Sequence, residues 1–285
     1  MMLVKRLLSS IMLIAFFTLS VFTKGLVGDI IFIGGTSVLA FFIMKEASVF
    51  FQNMGLGELS QKTPFYAVFY FLLVTGSKFI ANNEIVFFAA INLFFACLMW
   101  VEILIYSGDR EKIRRTLVSA SVFFIVLIPL SCLSMIYMFR FGDVDGRKAF
   151  FYLIAVTKAG DMGGYIGGMA SSALMKGGNH KILPKISPKK SWEGTLCGLI
   201  FSIIVSVIIV KYMGIFKFEF AISMGMTLFL GGFFGDLAES SLKRGAAVKD
   251  SGKIIPGIGG VFDLVDSFML NGPLFYLFLI MKAII

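Results

Sequence analysis

Apolar residues fill this chain in long runs that polar stretches interrupt only briefly. Runs near the length of a bilayer span, about 20 residues, lie at 7–23, 26–44, 65–82, 85–106, 117–139, 149–174, 192–213, 218–236 and 261–285. The pattern predicts an all-α, polytopic integral membrane protein with about nine transmembrane helices. Two of the runs are uneven: 26–44 carries Asp29 and a Gly-Gly pair, and 218–236 is rich in glycine and reads as broken or short. The first run has no small-residue cleavage site before Thr23-Lys24-Gly25 and reads as a retained helix rather than a leader.

Composition agrees with the pattern. The 285 residues are 58% hydrophobic and 15% charged, with a mean hydropathy of +0.91, well away from soluble domains. A net charge of +9 would suit nucleic acid, but no nucleic-acid motif accompanies it, and in a membrane chain basic residues set topology. Nucleic acid is therefore excluded as a partner. With the N-terminus inside, most of the 26 lysines and arginines fall in inner loops, which predicts an N-in, C-out chain. Cys97, Cys132 and Cys197 sit in apolar runs without pairing or ligand spacing and read as small hydrophobes. The longest loop, 237–260, is too short for an independent core, so any chemistry happens in or beside the bilayer.

Polarity divides the chain in two. Residues 1–140 read as a scaffold: Lys112, Arg114 and Arg115 suit lipid headgroups, and Asp29 and Glu102 lie near helix ends, where solvation is expected. Residues 141–285 read as the catalytic region. Asp161 stands in the middle of an apolar run ahead of Gly163-Gly164-Tyr165-Ile166-Gly167-Gly168, and an intramembrane carboxylate marks a functional site. The alternative is an ion pair with Lys158 one turn earlier, and the glycines serve either substrate approach or close helix packing. The loop Asn179–Gly194 carries lysines, Ser187 and Ser191 before a helix start of Ser-x-x-Glu type, which favours anions such as phosphate. Its plainer reading is a positive-inside loop against acidic lipids, with His180, the only histidine, solvated.

The last inner segment is the most informative. At helical spacing Asp236, Glu239 and Lys243 share one face, and Asp263 and Asp266 share a face of the next helix, so two carboxylate faces could meet at the inner membrane edge. An all-oxygen group without Cys or His suits Mg²⁺. The alternative is an ion-pair network of these acids with Lys243, Arg244 and Lys249.

The string Ser240-x-x-Lys243-Arg244-x-x-x-x-Lys249-Asp250-Ser251-Gly252, then Pro256-Gly257-x-Gly259-Gly260-x-x-Asp263-x-x-Asp266-Ser267, resembles the signature of the phosphatidate cytidylyltransferases, or CDP-diacylglycerol synthases. Asp161 with Tyr165 and Gly167, Leu183-Pro184, Ser187-Pro188-Lys189-Lys190-Ser191, Glu193-Gly194 and Gly235-Asp236 look like the same family, so the resemblance covers about 155–270. Two positions depart from it: Ile258 stands where the family usually has His, and Leu264 where it usually has Arg. The resemblance implies Mg²⁺-dependent conversion of phosphatidate and CTP to CDP-diacylglycerol and pyrophosphate. It implies a multi-pass protein of the cell membrane, the inner membrane in bacteria, with the site facing the cytoplasm and membrane lipids around it.

On that reading Asp236 and Asp263 lead as metal ligands, Asp266 and Asp161 come second, and Asp250 follows; a second cation is left open. Lys189, Lys190, Lys243, Arg244 and Lys249 would bind the triphosphate or the lipid phosphate. Ser187 and the backbone of Gly259 and Gly260 would donate to phosphate oxygens, with Tyr165 near the substrate. Small-residue helices make a homodimer plausible without establishing one. The rival readings are an ion-coupled secondary transporter, from the midplane acid and Gly-rich helices, and another membrane lipid nucleotidyl- or phosphotransferase.

Overall fold

A computed structural model describes residues 16, 18–23, 25–56, 63–80, 84–105, 108–175, 178–255 and 259–284. They form two compact units, Met1–Met138 with Leu242–Val265, and Phe139–Ser241 with Asp266–Ile285.

The first unit contains α1 (Leu26–Asn53), α2 (Thr63–Ile80), α3 (Glu84–Ile105), and α4 (Arg110–Val122), which runs through a π-helical turn (Phe123–Leu127) into α5 (Ile128–Met138). Asp109 starts α4 by accepting the Lys112 N–H at 3.1 Å, one of the N–H groups that has no partner inside the helix. The π turn has a local cause. Pro129 lacks the N–H that would continue the four-residue ladder, and the Ile128 N–H just before it reaches back five residues to the Phe123 carbonyl. The Phe32 and Tyr137 rings stack at 3.7 Å between centroids, and the Tyr137 hydroxyl donates to the Ser20 carbonyl. The same unit includes the last turn of a later helix and a four-residue helix near residue 262, both described below.

In the second unit, β1 (Arg140–Phe141) and β2 (Val144–Asp145) form an antiparallel hairpin ahead of α6 (Gly146–Leu174). Asp145 caps α6 through the N–H groups of Arg147 and Lys148, at 3.0 and 3.2 Å. Lys282 donates to Asp143 at 2.7 Å in the hairpin turn and holds that carboxyl below the usual carboxylate range. A second antiparallel hairpin, β3 (Lys181–Leu183) and β4 (Ser187–Ser191), leads into α7 (Trp192–Met213), then α8 (Glu219–Gly245). The four-residue α9 (Phe262–Val265) belongs to the first unit, and α10 (Phe268–Ile284) closes the second.

Glycines let α6 and α7 pack backbone to backbone. A Cβ on Gly194 would lie 2.7 Å from the Gly164 carbonyl oxygen, and one on Gly198 would lie 2.7 Å from that of Gly160. A Cβ on Gly167 would overlap Cys197, so helix packing accounts for that glycine. Side-chain hydrogen bonds tie the remaining helices in. Ser202 Oγ reaches the Gly225 carbonyl at 3.0 Å, and Asn271 Nδ2 donates to the Leu228 carbonyl at 2.7 Å and lies 2.9 Å from Thr157 Oγ1.

Among the described residues five helices are long and apolar enough to cross a membrane: Leu26–Asn53, Ile85–Ile105, Arg110–Met138, Trp192–Met213 and Glu219–Gly245. The chain is an all-α membrane protein with two short hairpins. Several expectations are corrected. The glycine-rich run 218–236 belongs to a continuous 27-residue helix, because its glycines are filled from outside by neighbouring side chains such as Asn271. The run 261–285 is two helices separated at Asp266 and Ser267. Asp29 is 5% exposed rather than solvated, and it pairs with Lys78 at 2.7 Å. The predicted first run lies mostly outside the described residues.

The α6–α7 seam generates a stability prediction. Gly198→Ala forces a methyl group against backbone and the Phe229 ring, and is expected to cost about 1–3 kcal/mol. Gly34→Ala adds a methyl into open space inside α1 and should leave the protein as stable as the parent or up to about 1 kcal/mol more stable. Thermal unfolding of both variants in detergent checks the difference.

Candidate functional site

Each unit carries a polar cluster. In the second unit Asp236 and Glu239 lie about one turn apart on α8, and Asp266 sits in the turn before α10. One carboxylate oxygen from each of the three falls within 4.8 Å of the others. Gly235 permits this approach, since a Cβ there would lie 2.5 Å from the Asp266 carbonyl oxygen. Glu239 is 2% exposed and Asp266 is 9% exposed.

Three acids so close together require positive charge nearby. Lys190, on β4, pairs with Asp236 at 2.9 Å, donates to the Phe233 carbonyl at 3.1 Å and lies over the Phe233 ring. Lys158, on α6, pairs with Asp161 at 2.8 Å, the partner the sequence offered as the plainer reading of that acid. Ser267 links the two acidic positions: its hydroxyl lies 3.1 Å from Asp161 Oδ2, and its N–H donates to Asp266 Oδ1 at 2.6 Å. The donor set is all oxygen and matches a hard divalent cation such as Mg²⁺.

The first unit holds Asp263 differently. Its Oδ1 pairs with Lys243 at 2.7 Å, and its Oδ2 accepts from Ser251 Oγ at 2.7 Å, the Gly260 N–H at 2.8 Å and the Ser251 N–H at 3.1 Å. Gly259 has φ +130°, and a Cβ there would lie 2.7 Å from Asp263 Oδ2, so glycine is required on both counts. Asp263 and Asp266 do not share a helical face. Helix α9 ends at Val265, so the spacing of three that would align them on one helix is broken by the turn.

The other expected residues are spread around these clusters. Ser187 and Lys189 lie on β4, and Lys189 and Tyr165 help line a cavity of about 500 Å³ with Gly164, Gly168, Asn179 and Lys181. Arg244, Lys249 and Asp250 are exposed, and Leu264 is partly buried. Pro256, Gly257 and Ile258 lie outside the described residues. At the start of α7, the Gly194 N–H is taken by Ser191 Oγ at 3.2 Å and the Trp192 N–H by the His180 carbonyl at 3.0 Å, so two of the N–H groups expected for an anion are occupied. His180 is exposed, as expected, and its Nδ1 lies 2.6 Å from Glu193 Oε1.

Sequence reasoning missed two residues. Asn271 joins three helices of the second unit, as described above. Glu46, on α1, is 4% exposed and accepts hydrogen bonds from the backbone of the loop that carries Asp263. An acid three-quarters of the way along a 28-residue apolar helix, beside Lys45, was the available signal.

Residues 4–281 match the sequence profile of the Cytidylyltransferase family. A 98-residue segment, 34% of this chain, is 47% identical to phosphatidate cytidylyltransferase 4, chloroplastic, of Arabidopsis thaliana and covers 25% of it. A 138-residue segment, 48% of this chain, is 41% identical to the phosphatidate cytidylyltransferase of Staphylococcus haemolyticus (strain JCSC1435) and covers 50% of it. A third, of 134 residues, is 35% identical to the Escherichia coli (strain K12) protein YnbB, covering 47% of this chain and 43% of that one. The chain thus spans between a quarter and a half of the length of these relatives. Because the profile match runs through both units, and through both acidic clusters with the lysines that accompany them, the chain belongs to the Cytidylyltransferase family.

Proposed function

We propose that the protein transfers the cytidylyl group of CTP to phosphatidate. A phosphatidate phosphate oxygen bonds to the α-phosphorus of CTP, the bond between the α- and β-phosphates breaks, and CDP-diacylglycerol and pyrophosphate result. The observation that carries this reading is the convergence of Asp236, Glu239 and Asp266 beside Lys190 in a member of a cytidylyltransferase family. Family membership does not favour the ion-coupled carrier suggested by the midplane acid.

The chemistry asks little of a base. A phosphate monoester has a second pKa near 6 and is already largely dianionic at neutral pH, so the absence of histidine at Ile258 is compatible with turnover. The barrier is the repulsion between two anions and the charge that builds on pyrophosphate, both relieved electrostatically. Asp236, Glu239 and Asp266 would hold Mg²⁺, with Asp263 the second acidic candidate and Asp161 and Asp250 behind it. When bound, the ion would neutralise phosphate charge and favour departure of pyrophosphate. Lys190 and Lys243, each held by a carboxylate, present ammonium groups of fixed direction for phosphate oxygens. Ser187, Lys189 and Tyr165 would contact substrate around the α6–hairpin cavity, with Arg244 and Lys249 adding positive charge.

In the same reading the chain crosses the membrane about nine times, N-in and C-out, with its site toward the cytoplasm. Residues 1–140 act as scaffold and 141–285 carry most of the chemistry. The acyl chains of phosphatidate stay in the bilayer.

Detergent-purified protein given phosphatidate and CTP is expected to release CDP-diacylglycerol and pyrophosphate, with product lost on chelation of Mg²⁺. Asp236→Asn should lower turnover at least about a hundredfold, and Asp263→Asn by a similar factor; Mg²⁺-dependent turnover unchanged in Asp263→Asn would remove that residue from the metal site. Folded parent protein that forms no product from these substrates would overturn the reaction. Lys243→Ala should raise the apparent KM for CTP about tenfold, measured by initial rates over a CTP series. For topology, a cysteine placed at Lys185 should react with a membrane-impermeant thiol reagent only when the cytoplasmic face is exposed. Labelling from the opposite face would reverse the N-in orientation.

A further inference from the structure

Glu46, on α1, is far along the chain from the signature residues of the same unit, yet it is built into their loop. Its Oε1 accepts the Val261 N–H at 3.0 Å, and its Oε2 accepts the Phe262 N–H at 2.8 Å and lies 3.2 Å from Ser251 Oγ. The backbone donors are available because α9 begins at Phe262, and the first N–H groups of a helix have no partner within it. Ser251 Oγ also lies 2.7 Å from Asp263 Oδ2, and it accepts the Asp263 N–H at 3.3 Å. One hydroxyl therefore bridges a buried carboxylate on α1 to the acid that holds Lys243.

The glycines of the loop are shaped around this contact. A Cβ on Gly252 would overlap Glu46 Oε1, and a Cβ on Gly260 would overlap Ser251 Oγ and stand 2.5 Å from Glu46 Oε2. Phe262 adds an apolar contact, edge-on to Phe50 one turn along α1 from Glu46. A carboxylate in this position is stable only because donors meet both of its oxygens. Glutamine would keep the volume of the side chain but set an NH₂ group against a backbone N–H or the Ser251 hydroxyl.

We infer that Glu46 is a positioning residue for cytidylyl transfer: it fixes the backbone at Val261 and Phe262 and, through Ser251, the orientation of Asp263 and its Lys243 partner. The inference rests on the cytidylyltransferase reading of these residues. Glu46 acts through the loop and contacts no reacting group.

The test uses the full chain in detergent, comparing parent, Glu46→Gln and Ser251→Ala by amide hydrogen exchange, thermal unfolding and CTP-dependent CDP-diacylglycerol formation. Glu46→Gln should speed exchange across 259–263 by about tenfold while α6 and α7 exchange as in the parent. Its kcat should fall at least about tenfold with the KM for CTP changed less than about threefold, since alignment rather than binding is lost. Ser251→Ala keeps both backbone contacts of Glu46, so it serves if Glu46→Gln fails to fold, and it should show a similar loss of kcat. Unaltered exchange in Glu46→Gln, a loosened loop with parental kcat, or parental kcat in Ser251→Ala each overturns the inference. If the parent itself makes no CDP-diacylglycerol, the reaction falls and this role with it, while the exchange measurements still report whether the carboxylate holds the loop.

Discussion

A carboxylate surrounded by apolar helices has to be met by donors or positive charge, and this requirement organises the polar parts of the protein. In the first unit Asp29 meets Lys78, Asp263 meets Lys243, and Glu46 meets a helix start. In the second, Asp161 meets Lys158 and Ser267, and Asp236 meets Lys190. Apart from the Lys158–Asp161 pair, which lies within α6, these contacts join residues that are distant in the sequence.

Glycine is the complement of that constraint. Along α6 and α7 it removes the side chains that would separate two backbones. Around Gly235, Gly252 and Gly260 it instead makes room for a carbonyl, a carboxylate or a hydroxyl to approach the backbone closely. Gly231 and Gly232 do the same for Asn271, whose amide reaches α6 and α8 from α10. A glycine-rich stretch in this chain is therefore a place of close contact, and α8 stays continuous through its own.

The functional reading depends on which charges are held in place. Lys190 and Lys243 are each pinned by a carboxylate and are largely buried, with side chains 16% and 15% exposed. A pinned ammonium loses less freedom on meeting a phosphate than the exposed Lys189 or Lys249 would, which makes the buried pairs the stronger candidates for ordering substrate. The loop of the signature motif gains its shape in the same way, from an acid on a helix that the motif does not include.

The membrane class, the approximate helices and the acid-rich signature were legible in the sequence, because hydropathy over a span-length window is a local, additive property and the signature is a contiguous string. The helical spacing of Asp236 and Glu239 was legible for the same reason. Which acids converge was not. Asp266 joins Asp236 and Glu239 while Asp263 turns to Lys243 because α9 stops after four residues, and its start is met by Glu46, more than two hundred positions earlier. Asp29 likewise looked solvated until α2 supplied Lys78. Pairings between distant elements carry no periodicity and no fixed spacing, so tertiary structure alone decided them.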